Sequence, residues 1–126
     1  MRRLLVDTSV WVNHFRIRDA ALANALALDL VMMHPMVLGE LACGTLPSRA
    51  QALRDLGRLQ PAQQASIPEV MAFIEREGLF GLGCGLVDIT LLASTLLTPG
   101  AELWTLDKRL CALADRFAVQ FIPALH

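Results

Sequence analysis

A short apolar run that ends in an acid decides the fold of this chain: Arg3-Leu4-Leu5-Val6-Asp7-Thr8-Ser9. It predicts a buried strand over residues 3–6, with a helix or turn following over residues 8–15. The same order recurs near the other end of the chain, where a strand predicted over residues 103–106 leads into Asp107 and a helix over residues 108–117. Short apolar strands that alternate with helices are typical of a parallel sheet covered by helices on both faces. The sequence therefore predicts an α/β fold with a small, mostly parallel sheet.

Further strands and helices fill the rest of the chain. We predict two more strands, over residues 30–33 and 119–122, and helices over residues 20–28, 35–44, 48–59, 68–77 and 86–97. Ser48 is of the residue type that caps helix N-termini. Residues 78–85 include four glycines, which predicts a loop with unusual backbone angles or close packing. No repeat, linker or low-complexity segment divides the chain, so we expect residues 1–126 to form a single domain.

The composition limits the kinds of function that remain. A net charge of −1 gives no overall attraction to nucleic acid, although ten of the eleven cations are Arg, which makes bidentate contacts with phosphate. The hydrophobic share of 55% predicts that apolar surface is buried against a partner, chiefly from residues 20–28 and 36–59. Three widely spaced cysteines support neither a zinc site nor a disulfide framework, and they predict a reducing cytoplasm. We expect neither a signal peptide nor a membrane span.

A parallel α/β fold would gather four carboxylates of this chain: Asp7, Glu40, Asp88 and Asp107. Asp7 and Asp107 follow predicted strands, and ligands of open parallel sheets bind beyond the carboxyl ends of the strands. Glu40 and Asp88 lie in apolar helices, where a buried carboxylate is costly unless it is paired or binds a metal. Clustered acids without a basic partner repel one another, and a divalent cation held by oxygen ligands relieves that repulsion. The sequence therefore predicts a metal-dependent enzyme that acts on phosphate esters.

The two acids at strand ends also have a purely structural interpretation. Asp7 precedes Thr8, and Asp107 precedes Lys108, at the start of predicted helices, which is where an aspartate caps a helix. If the acids are only caps and solvated charges, the chain is a catalytically silent interaction module. Another metal-dependent phosphoesterase is a further alternative, although position 9 is Ser where phosphatases of the haloacid-dehalogenase type have a second Asp.

The segments that carry these acids resemble the four motifs of PIN-domain ribonucleases, in the family's order: Leu5-Val6-Asp7-Thr8-Ser9-Val10-Trp11, Val37-Leu38-Gly39-Glu40-Leu41-Ala42-Cys43-Gly44, Gly85-Leu86-Val87-Asp88 and Trp104-Thr105-Leu106-Asp107-Lys108-Arg109-Leu110. They are most similar to the VapC toxins of bacterial toxin–antitoxin pairs. The resemblance implies a three-layer αβα domain, a Mg²⁺- or Mn²⁺-dependent endoribonuclease activity on RNA, and an antitoxin whose C-terminal segment occludes the active site. It also implies an acidic site made of Asp7, Glu40, Asp88 and Asp107, with Ser9 and Thr105 as supporting hydroxyls.

One departure from the family's pattern concerns the number of metal ions. Many relatives have a further acidic or amide residue shortly after the last Asp, whereas this chain has Lys108 and Arg109, so fewer protein ligands are available for a second metal. We expect Asp7 and Asp88 to contact the cation directly. The other two acids are expected to act partly through water, because Mg²⁺ keeps several of its waters. The apolar surface further predicts a homodimer and a groove for the antitoxin.

Overall fold

A computed structural model describes residues 2–124 of the chain. Within that range the chain forms four strands, β1 Arg3–Val6, β2 Val31–Met33, β3 Gln60–Pro61 and β4 Ala101–Trp104. It also forms seven helices: α1 Thr8–Arg16, α2 Ala20–Ala27, α3 Pro35–Ala42, α4 Arg49–Leu56, α5 Ile67–Glu77, α6 Leu86–Leu97 and α7 Lys108–Arg116. Every strand pair is parallel, in the order β3-β2-β1-β4. The predicted α/β fold with a parallel sheet is therefore confirmed.

The sheet is built around β1, which pairs with β2 on one side and with β4 on the other. Leu5 lies opposite Met32 of β2 and Leu103 of β4, and all three side chains are fully buried. A strand covered on both faces must be apolar throughout, which is why residues 4–6 show no polar alternation. Because β1 and β4 are parallel, their carboxyl ends lie at the same edge of the sheet.

The middle of the chain departs from the helix predicted over residues 48–59. α4 spans only Arg49–Leu56. Ser48 occupies the predicted N-cap position, but it has a left-handed conformation (φ 47°) and its side chain makes no capping hydrogen bond. A short strand, β3, follows where a strand was not expected. It includes Pro61, which has no N–H to donate and is therefore suited to the edge of a sheet.

The predictions for the last two strands also need correction. β4 ends at Trp104, earlier than the strand predicted over residues 103–106. The strand predicted over residues 119–122 is reduced to one bridge between Leu103 and Gln120. Leu103 N donates to Val119 O at 2.7 Å, so this segment is held against β4 through a single residue of that strand.

Exposed apolar surface lies elsewhere than the sequence predicts. The helix predicted over residues 20–28 exposes only Leu28 among its large apolar side chains, and residues 36–59, all of which the structure describes, expose none. The reason is that α1, α3 and α4 pack against one another. Exposed large apolar side chains occur instead on α5, on α6 and in the glycine-rich loop, among them Ile67, Met71, Phe80, Leu82, Leu96 and Leu97. No helix within residues 2–124 is both long enough and apolar enough to cross a membrane.

A buried histidine fixes the position of α3. His34 Nδ1 accepts a hydrogen bond from Met36 N at 3.0 Å and so caps this helix. Because Nδ1 accepts, the ring hydrogen is on Nε2, which donates to Ser94 Oγ of α6 at 3.2 Å. Burial lowers the pKa of His34 and thereby favours the neutral ring that both hydrogen bonds require. The histidine thus joins the two helices that carry Glu40 and Asp88.

Candidate active site

Four different elements carry the acids that the sequence singles out. Asp7 follows β1 and Asp107 follows β4, and the ends of these strands are joined by a hydrogen bond from Asp7 N to Trp104 O at 2.8 Å. Glu40 lies in α3, and Asp88 lies in the first turn of α6. The two strand-end acids therefore lie at the carboxyl edge of the sheet, which is where open parallel sheets bind their ligands.

Asp7 is buried, with 6% of its surface exposed, although it stands at the N-cap position of α1. Its side chain makes no capping hydrogen bond. Asp7 Oδ2 instead accepts from Ser9 Oγ and from Thr105 Oγ1, both at 2.8 Å. Hydrogen bonds to the ionised form offset the unfavourable effect of burial on a carboxylate. The structural interpretation of Asp7 as a helix cap is therefore wrong, and its hydrogen bonds are those of a charged group held in one orientation.

The hydroxyls that hold Asp7 are themselves held by the loop after β4. Leu106 N donates to Ser9 Oγ, and Asp107 N donates to Thr105 Oγ1, each at 3.0 Å. The backbone around Asp107 thus fixes the orientation of Asp7 through these two hydroxyls. Both hydroxyls implied by the family resemblance contact the acid that they were expected to support.

Asp107 is exposed, and its side chain caps a helix. Its Oδ1 accepts from Arg109 N at 2.9 Å and from Leu110 N at 3.1 Å, at the start of α7. The capping interpretation is therefore confirmed for this acid. A cap does not prevent metal binding, because an ionised carboxylate has two oxygens and both hydrogen bonds go to one of them.

Glu40 is exposed, so the prediction of a buried acid is wrong. Among its apolar neighbours at helical spacing, Val37 is buried, whereas Cys43 and Gly44 are exposed. Thr8 Oγ1 donates to Glu40 Oε1 at 2.6 Å, and this hydrogen bond joins α1 to α3. The sequence did not predict Thr8 as a site residue, because its hydrogen-bond partner Glu40 is 32 positions away. The only local indication is that Thr8 directly follows Asp7.

Asp88 is half-buried and accepts a hydrogen bond at Oδ2 from Gly85 N at 3.3 Å. The pKa of Asp88 is raised, first by burial and then by the negative charges of Asp7, Asp107 and Glu40. The hydrogen bond from Gly85 opposes this effect. The charges of the other three acids therefore reach Asp88 and disfavour its ionised form.

The donor chemistry of this edge fits a hard divalent cation. Within residues 2–124, no three carboxylate, imidazole or thiol groups lie close enough together to enclose a metal ion. A closed protein cage is not required, because Mg²⁺ is bound through one or two carboxylates and keeps several waters. The salt bridge found in the described part of the chain joins Arg2 to Glu102, so the four acids have no paired cation there. A bound divalent cation would relieve their mutual repulsion.

Comparisons with known proteins agree with this arrangement. The family model described as PIN domain matches residues 4–116. Ribonuclease VapC32 of Mycobacterium tuberculosis strain CDC 1551 / Oshkosh is 44% identical over 109 residues, which cover 86% of this chain and 88% of the relative. The protein of the same name from strain ATCC 25618 / H37Rv matches with the same identity and coverage. The chain therefore belongs to the PIN-domain family.

Proposed function

We propose that this protein is a divalent-metal-dependent endoribonuclease and the toxin of a toxin–antitoxin pair. The observation that carries the proposal is the environment of Asp7, a buried carboxylate fixed by two hydroxyls beside three further acids. A helix cap would explain none of these hydrogen bonds. Membership of the PIN-domain family and the name of the VapC32 relatives, ribonuclease, supply the reaction class.

The acids have distinct roles in this proposal. Asp7 and Asp88 would hold Mg²⁺ or Mn²⁺ directly, and Glu40 and Asp107 would act partly through water. When bound, the cation would supply Lewis-acid chemistry for the hydrolysis of a phosphodiester. Ser9 and Thr105 hold Asp7 in one rotamer through their hydroxyls. Thr8 holds Glu40 through one hydrogen bond.

Cleavage of single-stranded RNA by the purified protein tests this proposal. We expect cleavage with Mg²⁺ or Mn²⁺, loss of cleavage in chelator, and recovery when the cation is added back. Asp7→Asn should fold but not cleave, whereas Glu75→Gln, at an exposed position of α5, should match wild type. Equal rates in chelator and in Mg²⁺, or an Asp7→Asn variant as fast as wild type, would refute the metal-nuclease mechanism.

The antitoxin is proposed to bind in a groove between α1 and the connection from α3 to α4. This groove has a volume of about 340 Å³ and is lined by Val12, Phe15, Leu41 and Leu46 among others, and it reaches Glu40. A peptide bound along it would end at the acidic edge and occlude it. Val12→Glu, which places a charge in the groove at a side chain that is 43% exposed, should weaken neutralisation by the product of a neighbouring antitoxin gene without reducing RNA cleavage.

A homodimer is proposed through the exposed apolar face of α5 and α6. Ile67 and Met71 on α5, with Leu96 and Leu97 on α6, are each at least 40% exposed. Several large apolar side chains exposed on two helices that pack together mark a candidate interaction site. Sedimentation equilibrium should show a dimer for wild type and a monomer for Met71→Lys. A monomeric wild type at high concentration would exclude this interface.

A further inference from the structure

Arg109 lies against the glycine-rich loop beside the acids. It is in the first turn of α7, and its side chain packs on Gly83, where a Cβ would lie 2.6 Å from Arg109 Nη1 and 2.7 Å from Arg109 Cδ. Gly83 also has a left-handed backbone conformation, with φ of 84°. The backbone therefore favours glycine at this position, and a side chain here would displace the guanidinium of Arg109.

The charges around Cys84 place Arg109 at the acidic edge. The pKa of the Cys84 thiol is raised by burial and by the charges of Asp88 and Asp107, and the charge of Arg109 opposes that rise. Arg109 is also tied to Asp107 directly, through its backbone N–H. The charges of Asp88, Asp107 and Arg109 therefore all act on the Cys84 thiol.

The helix terminus does not account for a cation at this position. Arg and Lys are unfavourable in the first turn of a helix, because the positive end of the helix dipole lies there. Arg109 is exposed, and the salt bridge found within residues 2–124 is that of Arg2 with Glu102, so its guanidinium has no carboxylate partner in that range. The donors of this planar guanidinium are therefore available to an anionic ligand.

The same loop carries a side chain suited to an unpaired base. Phe80 is 67% exposed, on a segment whose glycines at positions 78, 81 and 83 all have positive φ. Aromatic side chains stack on unpaired bases, and guanidinium groups bind phosphates bidentately. Phe80 of the loop and Arg109 of α7 thus provide the two kinds of contact that single-stranded nucleic acid makes.

We propose that Arg109 is a substrate-binding residue that holds an RNA phosphate next to the scissile one, and that Gly83 is a positioning residue that leaves room for its guanidinium. This inference rests on the proposed ribonuclease function, because the phosphate is part of the RNA that is cut. The acids and their cation hold the scissile phosphate, and Arg109 neutralises a neighbouring one. The contact is to the RNA backbone and is therefore independent of base sequence.

Binding of RNA in chelator tests the role of Arg109 without cleavage. The probe is a fluorescent single-stranded RNA oligonucleotide of mixed sequence, followed by anisotropy at several salt concentrations. Arg109→Gln should bind about tenfold more weakly, as expected when a hydrogen bond to a charged group is lost. The slope of log affinity against log salt should also fall by about 0.7, the contribution of one phosphate contact to single-stranded nucleic acid. Arg58→Gln, which removes an exposed Arg from outside the site, is the matched control and should leave both values unchanged.

The glycine provides a second, independent variant pair. Gly83→Ala and Gly81→Ala impose similar backbone strain, since their φ angles are 84° and 72°. A Cβ added at Gly83 would meet Arg109, whereas a Cβ added at Gly81 would have no neighbouring atom within 4 Å. Gly83→Ala should therefore reproduce the loss of RNA affinity, and it should add little further loss in the Arg109→Gln background. Gly81→Ala should bind RNA as wild type does.

The outcomes separate this inference from the proposed function. Unchanged affinity and salt slope in Arg109→Gln would overturn the inference even if the wild type cleaves RNA, and so would a wild type that does not bind the probe. Binding that depends on Arg109 in a protein that never cleaves RNA would refute the nuclease proposal and leave the phosphate contact standing. Equal losses in Gly81→Ala and Gly83→Ala would overturn the role of Gly83.

Discussion

Asp7 and Asp107 occupy equivalent places, each between the end of a parallel strand and the start of a helix, yet their side chains are used differently. Asp107 accepts backbone N–H groups and caps α7, whereas Asp7 accepts two hydroxyls and caps nothing. Ser9 and Thr105 supply the competing donors at Asp7. An aspartate at an N-cap position is therefore a cap only if its side chain has no stronger partner nearby.

The sharpest test of this comparison is the rate of RNA cleavage in Asp7→Asn and Asp107→Asn. The loss should exceed about a hundredfold for Asp7→Asn, because a fixed ligand charge disappears from the centre of the site. It should be about tenfold for Asp107→Asn, whose carboxylate acts partly through water. Since Asn caps helices as well as Asp does, the second variant changes charge without changing the cap. Equal losses would show that the two acids have the same role.

Removing one hydroxyl from Asp7 should have the next largest effect. Thr105→Val keeps the shape of the side chain but leaves Asp7 with one of its two hydroxyl donors and Asp107 N without an acceptor. We expect a loss of about 10- to 100-fold in activity or in metal affinity, measured by titration with Mn²⁺. Thr95→Val is the matched control, because this buried hydroxyl donates only to Leu91 O within α6. A similar loss of activity in both variants would indicate a general effect of packing.

The cap itself is tested by stability. Asp107→Ala removes the acceptor for two backbone N–H groups and should lower the free energy of unfolding by about 1 kcal/mol. Asp107→Asn should not lower it. Asp7→Asn removes no capping hydrogen bond and reduces repulsion, so its free energy of unfolding in chelator should equal or exceed that of wild type. Urea denaturation measures all three, and an Asp107→Ala variant as stable as wild type would contradict the capping role.

The smallest expected effect is the pH dependence caused by Asp88. Because its pKa is raised in the folded protein, the folded state holds this proton to higher pH than the unfolded chain does. The free energy of unfolding therefore falls as pH rises from the ordinary pKa of Asp, about 3.9, through the raised one. Asp88→Asn should lack this fall and be more stable than wild type near neutral pH in chelator, by less than about 1 kcal/mol because the group is partly exposed to solvent. A variant less stable than wild type at neutral pH would contradict this sign.

Much of the fold could be predicted from local pattern. The apolar run before Asp7 and the alternation of strands with helices were enough for the parallel sheet, because each is a property of neighbouring residues. The segment over residues 119–122 has a strand-like sequence but pairs with β4 through one bridge. The length of that pairing depends on how the chain after α7 lies against β4. Short strands at the edge of a sheet depend on tertiary packing, and a local stretch of sequence carries no information about that packing.

The candidate site shows the same division. The order of the acids along strands and helices predicted a shared site at one edge of the sheet, whereas the exposure of Glu40 and its hydrogen bond with Thr8 depend on how α1 packs against α3. Apolar neighbours at helical spacing suggested burial, but Cys43 and Gly44 near the end of α3 are exposed. Hydrophobic spacing describes a face only where a helix continues long enough to be covered.

The hydroxyls beside Asp7 also impose a direction on the hydrogen bonds. Each hydroxyl has one hydrogen, and Ser9 and Thr105 both give theirs to Asp7 Oδ2. Their own contact of 3.4 Å therefore joins two acceptors and is not a hydrogen bond. All the hydrogens point the same way, from the amides of Leu106 and Asp107 through the hydroxyls to the carboxylate. Chains of hydrogen bonds aligned in this way polarise and strengthen one another.

These aligned hydrogen bonds join the end of β1 and the turn after β4 into a single rigid unit. Sliding one past the other would break several aligned hydrogen bonds at once. Glu40, in contrast, is attached through one exposed hydrogen bond to Thr8. The acidic edge therefore has a rigid side and an adjustable side: the sheet fixes the position of Asp7, and α3 carries an acid whose side chain has more freedom to move.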